Sequence, residues 1–215
     1  MKNEVNLKSM VYNDLLDDIL SMVYLPGQIL NEKEVIAKYS CSKSPVREAL
    51  QALCADNVLR SIPRCGYEVV RLTMDDVYEM LSFRYILESG ILRSRAGQLL
   101  PQHFQRLKEI DQRCSLSTDD PRMHWAYNTE FHLTLMSFCG NHYAVAELER
   151  CMNRLKRAYS QLYYGAWERS SPPLDTRNHA QILACLSRGE AESAVRCLAS
   201  DLNDFGTPGH NWNFL

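Results

Sequence analysis

Long apolar runs are missing from this 215-residue chain, and no stretch approaches the roughly 20 apolar residues that a membrane-spanning helix needs. The opening MKNEVNLKSM has no apolar signal-peptide core, so the expected setting is cytoplasmic, with no membrane partner. C-x-x-C pairs are also absent. The eight cysteines are scattered at 41, 54, 65, 114, 139, 151, 185 and 197, a pattern that excludes a zinc ribbon and fits small buried hydrophobes or free thiols. Glycine is scarce, with nine residues, and none builds a Gly-rich phosphate loop; nor does a Ser/His/Asp constellation stand at catalytic spacing. A general excess of positive charge is missing too, since the net charge is −2. The balance shifts locally, however. Residues 33–71 hold seven Lys and Arg against four acids, enough for one basic surface.

Helix formers are plentiful, and the fold class expected is mainly α. Val11, Leu15, Ile19 and Val23 mark a first helix, ended by the turn Leu25-Pro26-Gly27. Asn31-x-x-Glu34 opens a second helix in capping-box fashion, running to about Tyr39. Ser40–Ser42 then links tightly to Ser42–Leu53, where Val46, Ala49, Leu50 and Leu53 form one buried face. Ser44 suits the N-cap and Pro45 the first helical position, leaving Lys43, Ser44, Arg47 and Gln51 at the start or on the outer face. Alone, this is an ordinary amphipathic helix. After a short capped helix it becomes the second member of a helix-turn-helix, the one that enters the major groove. Asn57 tolerates the left-handed conformation that stops a helix. Val58–Ile62 and Tyr67–Val70, joined by Pro63-Arg64-Cys65-Gly66, then read as a β-hairpin wing with a basic tip.

Thr73-Met74-Asp75-Asp76 is another helix start, and the domain boundary is placed there. Helices are expected over about 74–97, 102–115, 121–139, 142–164, 175–188 and 190–204, with breaks at Pro101, Ser117–Pro121, Gly140-Asn141, Ser170–Pro173 and Gly189. This pattern predicts an antiparallel six-helix bundle followed by an irregular tail, 206–215. Val77, Leu81, Arg84, Glu88 and Arg95 share one stripe, which is either a polar cavity wall or a surface i, i+4 ion pair. Asn128 and His132 lie on one helical face, with His179 and Asp201 in later helices. Inward polar groups from several helices are how bundles build metal sites.

Three separated blocks carry a resemblance: Leu-Pro-Gly-Gln-Ile-Leu-Asn-Glu from Leu25, Ser-Lys-Ser-Pro-Val-Arg-Glu-Ala-Leu-Gln-Ala-Leu from Ser42, and Pro-Arg-Cys-Gly-Tyr-Glu-Val from Pro63. Roughly residues 10–72, within a domain expected over 1–73, resemble the winged helix-turn-helix of GntR-type transcription regulators. Residues 74–205, with Phe131-His132 and His179-x-x-Ile-Leu, resemble the helical effector-binding FCD domain, in its six-helix variant. The resemblance implies DNA contacts at Lys33, Ser42, Lys43, Ser44, Arg47, Arg64 and Gly66. It also implies a homodimer on an inverted-repeat operator in double-stranded DNA, and a small-molecule effector, a carboxylic acid, held near Arg84, Asn128, His132 and His179. Many members bind a divalent metal through Asp, His, His and His. The matching positions are Asn128, His132, His179 and Asp201, an exchange that keeps the formal charge and suits zinc, manganese or nickel. Lys43 stands where arginine is usual and offers a point charge in place of a planar fork. Two other functions compete with a regulator: a metal-dependent enzyme with an accessory DNA-binding domain, and a structural DNA-binding protein.

Overall fold

The structure is a computed structural model and describes residues 7–117, 120–167 and 177–204. It divides into two compact units. Among the described residues, one runs to Thr73 and includes Ser160–Tyr164; the other comprises the rest from Met74 onward.

In the first unit, α1 (Leu7–Leu20) buries Val11, Leu15 and Ile19. The expected fourth apolar position falls outside it. Met22 takes φ +58° just beyond the helix, and Val23 is 55% exposed. A two-residue strand, β1 (Ile29–Leu30), leads into α2 (Glu32–Tyr39). Asn31 caps α2 as expected, its side chain accepting from the Lys33 N–H at 2.9 Å. α3 (Lys43–Ala55) starts earlier than its Ser-Pro pair suggests: Ser42 is the N-cap, so Ser44 and Pro45 occupy the second and third helical positions. Proline remains harmless there, because the first four helical N–H groups have no intrahelical acceptor. Val46, Ala49, Leu50 and Leu53 are buried, and Asn57 adopts the left-handed φ of +53° beyond the helix.

The wing is β2 (Leu59–Ile62) paired antiparallel with β3 (Gly66–Val69). β1 adds a third strand on the far side of β3, in the order β1-β3-β2, pairing Leu30 with Tyr67. Gly66 is required by that pairing. Its φ is +136°, and a Cβ there would come within 2.3 Å of the Leu30 carbonyl oxygen. The sheet and three helices close over Leu15, Leu30, Val35, Leu50, Leu53 and Val69.

The second unit contains α4 (Met74–Arg95), α5 (Pro101–Ser115), α6 (Pro121–Phe138), all of α7 (His142–Trp167) except Ser160–Tyr164, α8 (Arg177–Ser187) and α9 (Ala191–Asp204). A 3₁₀ turn, Ala96–Gln98, follows α4. Pro101 and Pro121 open their helices, and the Asp120 carboxylate caps α6 by accepting from the Arg122 and Met123 N–H groups. α7 runs three residues beyond the expected end. α8 packs on α9, α5 on α6 and α4 on α9, burying Leu81, Leu107, Ile110, Phe131, Leu155 and Leu198. The expected break at Ser170–Pro173, the start of the 175–188 helix and the 206–215 tail lie outside the described residues. No helix among the described residues is long and apolar enough to cross a membrane.

Candidate functional site

Two sets of polar residues stand out, one in each unit. In the first unit, Lys33, Ser42, Lys43, Ser44, Arg47 and Arg64 are all exposed or half-exposed, and Gly66 is half-buried beneath the wing tip. The first turns of α3 place Lys43 and Arg47 one helical turn apart, on one face. They share a partner that sequence reading missed. Arg47 Nε donates to Glu32 Oε2 at 3.2 Å, and Lys43 Nζ lies 3.8 Å from Glu32 Oε1. Ser44 Oγ donates to Glu48 Oε1 at 3.1 Å. Arg64 stands at the hairpin tip with φ +65°. A helix start with solvent-facing cations and hydroxyls can meet phosphates and base edges.

The second set is buried in the helical unit. Of the α4 stripe, Val77, Leu81, Arg84 and Glu88 face inward and only Arg95 is exposed. The Arg84–Glu88 pair is therefore no surface bridge: the side chains are 1% and 0% exposed, and Arg84 Nε donates to Glu88 Oε1 at 2.9 Å. Glu88 Oε2 lies 2.7 Å from His132 Nδ1. Burial raises the pKa of the Glu88 carboxyl, but Arg84 and His132 outweigh it and hold the group below its ordinary value. Glu88 is thus an ionised acceptor, and His132 must give it the Nδ1 proton.

The other edge of His132 meets the remaining helices. Nε2 lies 3.1 Å from Asp201 Oδ2 but is not aligned for a hydrogen bond. His179 Nε2 lies 3.1 Å from Asn128 Oδ1 and 3.6 Å from Asp201 Oδ1. Its Nδ1 faces Asp111 Oδ1 at 3.2 Å, and Phe131 stacks on the ring at 3.9 Å. Burial opposes the Asp201 charge, yet His179 and His132 bring its pKa down to about 2. One donor atom from each of His132, His179 and Asp201 can be chosen so that all three lie within 4.8 Å of one another. All four residues proposed for the metal are brought together, since Asn128 faces His179.

These residues fit a divalent cation on the chemistry of their donors. Each histidine turns Nδ1 toward a carboxylate, Glu88 or Asp111, the arrangement that leaves Nε2 as a ligand lone pair. Lone pairs of Nε2, a carboxylate and an amide oxygen then converge on one place. Either protons on the rings or a cation that displaces them can satisfy such a cluster. Burial works against a charged His132 ring, but Glu88 outweighs it and the pKa lies above the ordinary histidine value. Within this cluster, Arg84 Nη2 and Asn128 Nδ2 also lack partners.

Asp111 and His124 also escaped sequence reading, although periodicity carried a signal for each. Asp111 falls on the stripe Leu107, Ile110, Cys114, and His124 precedes Asn128 and His132 at successive steps of four. His124 Nδ1 sits 3.1 Å from the Cys114 carbonyl oxygen. Burial raises the Cys114 thiol to about 12, so it is no nucleophile.

A winged helix-turn-helix joined in one chain to a helical unit with a buried polar cluster is the architecture of a class of transcription regulators. Family comparison gives the class its name. Residues 7–69 match the gntR family of bacterial regulatory proteins and residues 79–204 match the FCD domain; the chain belongs to the GntR family, with an FCD C-terminal domain. It is a DNA-binding regulator, not an enzyme. The HTH-type transcriptional repressor RspR of Escherichia coli K12 is 24% identical over 197 residues, covering 90% of this chain and 85% of that one. The gluconate operon transcriptional repressor of Bacillus subtilis is 34% identical over 93 residues, 43% of this chain and 33% of its own. Among solved structures, Escherichia coli McbR/YncC superimposes with a TM-score of 0.72 at 24% identity, covering 92% of this chain and 94% of that one.

Proposed function

We propose that this protein is a homodimeric regulator whose hold on an inverted-repeat operator in double-stranded DNA is set by a small carboxylic acid bound in the helical unit. Arg84 carries this reading. A guanidinium 1% exposed, tied through Nε to Glu88 with Nη2 unpartnered, leaves a charged donor open to an incoming carboxylate. Asn128, His132 and His179 line the same cluster. With Asp201 they would hold zinc, manganese or nickel, and the metal would supply a positive centre for a second carboxylate oxygen. Ligand controls DNA binding in this scheme only if one arrangement of the protein binds it better than another.

A second copy of the chain is supported by an exposed apolar face on α4. Phe83, Ile86 and Gly90 follow one another at helical spacing with Ile86 71% exposed, a surface of the kind dimers cover. Two recognition helices related by a two-fold axis would read the two halves of a palindromic site. Lys33, Ser42, Lys43, Ser44, Arg47, Arg64 and Gly66 are the proposed contacts.

The test is selection of bound duplexes from random DNA, repeated with a panel of carboxylic acids and after chelation. Expected are a palindromic consensus and at least one acid that shifts the binding curve, with the shift lost in Arg84→Met. A consensus that no acid affects would overturn ligand control at Arg84. Failure to enrich any sequence would overturn the operator reading.

A further inference from the structure

Glu32 is an acid among the residues that face DNA, and charge logic alone would remove it. Helix stabilisation gives it one ordinary explanation: an acid in the first turn of α2 is favoured by the helix dipole. That explanation leaves the direction of its side chain unexplained. The carboxylate is only 21% exposed and reaches across to α3, one oxygen on Arg47 Nε and the other toward Lys43 Nζ. Arg47 and Lys43 themselves remain 53% and 67% exposed. The acid is thus the more buried, fixed member of the trio, and the two cations are its mobile partners.

We propose that Glu32 is the specificity-setting residue of the reading head, positioning Arg47 for a base and restraining Lys43 from indiscriminate phosphate binding. The assignment rests on the reading that Lys43 and Arg47 face DNA. An arginine held through Nε keeps both terminal nitrogens free, and these form the planar fork that matches the O6 and N7 acceptors of guanine. Holding the side chain before DNA arrives removes rotamer freedom that would otherwise be lost on binding. The same carboxylate lies close to where phosphates would pass, so it penalises any complex in which Arg47 finds no base to offset the approach. Lysine at position 43 fits this division of work, since it needs no fork to act as a point charge. Glu32 acts through its neighbours and is a positioning residue.

The experiment compares the full-length wild type with Glu32→Gln and Glu32→Ala on two duplexes: the sequence selected from random DNA by the wild type, and a scrambled version of equal composition. Gln removes the charge and keeps an acceptor for Arg47; Ala removes both. Glu32 starts a helix and is not in the core, so both variants should fold, which circular dichroism checks. For Gln, scrambled DNA should bind several-fold more tightly, with a salt slope steeper by about 0.9 as Lys43 takes up one phosphate. For Ala, the ratio of selected to scrambled affinity should fall about tenfold or more, the loss expected when one bidentate base contact is loosened. Reselection with the Ala variant should broaden base preference at one position of each half-site. A wild-type ratio and slope in both variants would overturn the proposal. A separate arm, Arg47→Ala, addresses the reading beneath it: wild-type affinity for the selected duplex would show that Arg47 does not face DNA and would overturn both.

Discussion

The two units handle charge in opposite ways. In the reading head, Lys43 and Arg47 are exposed and share one carboxylate, an arrangement worth at most about 1 kcal/mol in water. In the helical unit, Arg84, Glu88, His132, His179 and Asp201 are all buried and joined edge to edge. There, solvent cannot compensate for a missing partner. In the proposed scheme the head is built for exchange, Lys43 leaving Glu32 for phosphate at little cost while Arg47 stays anchored through Nε. The buried cluster is built for retention, with its residual hydrogen-bonding capacity confined to a few atoms such as Arg84 Nη2. Under the proposed function the contrast has a reason: a surface for a long anionic polymer needs many weak contacts, whereas a switch site needs few contacts with large consequences.

Removing one buried partner should break this contrast most sharply. Arg84→Met leaves the buried Glu88 charge without its guanidinium, and unfolding in urea should show a loss of about 3–5 kcal/mol. Arg47→Ala should cost almost no stability in the same assay, while abolishing preference for the selected duplex. Equal effects of the two substitutions on stability would end the distinction between the units.

Acid should act next, through Asp201 of the buried set. Asp201 ionises at about 2 in the folded protein, below its ordinary carboxylate value, so its folded-state pKa is depressed. The stability it adds is complete above the unfolded pKa of about 4 and is lost as pH falls toward 2, with about 1.4 kcal/mol for each pH unit that separates the folded and unfolded values. Asp201→Asn should remove about 2 kcal/mol of acid-dependent stability in this window and flatten the curve there. A stability profile between pH 4 and 2 that is identical in wild type and variant would show that Asp201 is not held by the histidines.

These contrasts also explain what was legible in the sequence. Periodicity located the helices, because burying one face of α3 or α6 demands a repeat of 3.6. It put Asn128 and His132 on one helical face for the same reason, whereas His179 and Asp201 joined them only through the family resemblance. It could not separate a buried Arg84–Glu88 pair from an exposed one, since i, i+4 spacing is identical in both. Glu32 and Asp111 were overlooked because their partners lie 15 and 68 residues away, and nothing local records such a distance. β1 escaped because two residues cannot show alternation. Ser44 outranked Ser42 as a cap because Pro45 looked like a first helical residue, although the third position suits proline equally well.

The smallest effect tests whether the head depends on local geometry around its acid. Asn31 caps α2 through the Lys33 N–H, one residue before Glu32. Asn31→Ala should cost the helix about 1 kcal/mol, the usual value of an N-cap, and the loss should fall on the first turn, which carries both Glu32 and Lys33. A frayed first turn lets the Glu32 carboxylate wander from Arg47, so preference for the selected over the scrambled duplex should fall modestly, in the direction of Glu32→Ala. The buried cluster should not respond, because none of its members is in this unit. Metal or carboxylate binding measured by calorimetry should therefore match wild type. If the substitution lowers stability and leaves discrimination between duplexes intact, Glu32 holds Arg47 without help from the cap. If discrimination falls further than in Glu32→Ala, Lys33 contributes to base reading in its own right.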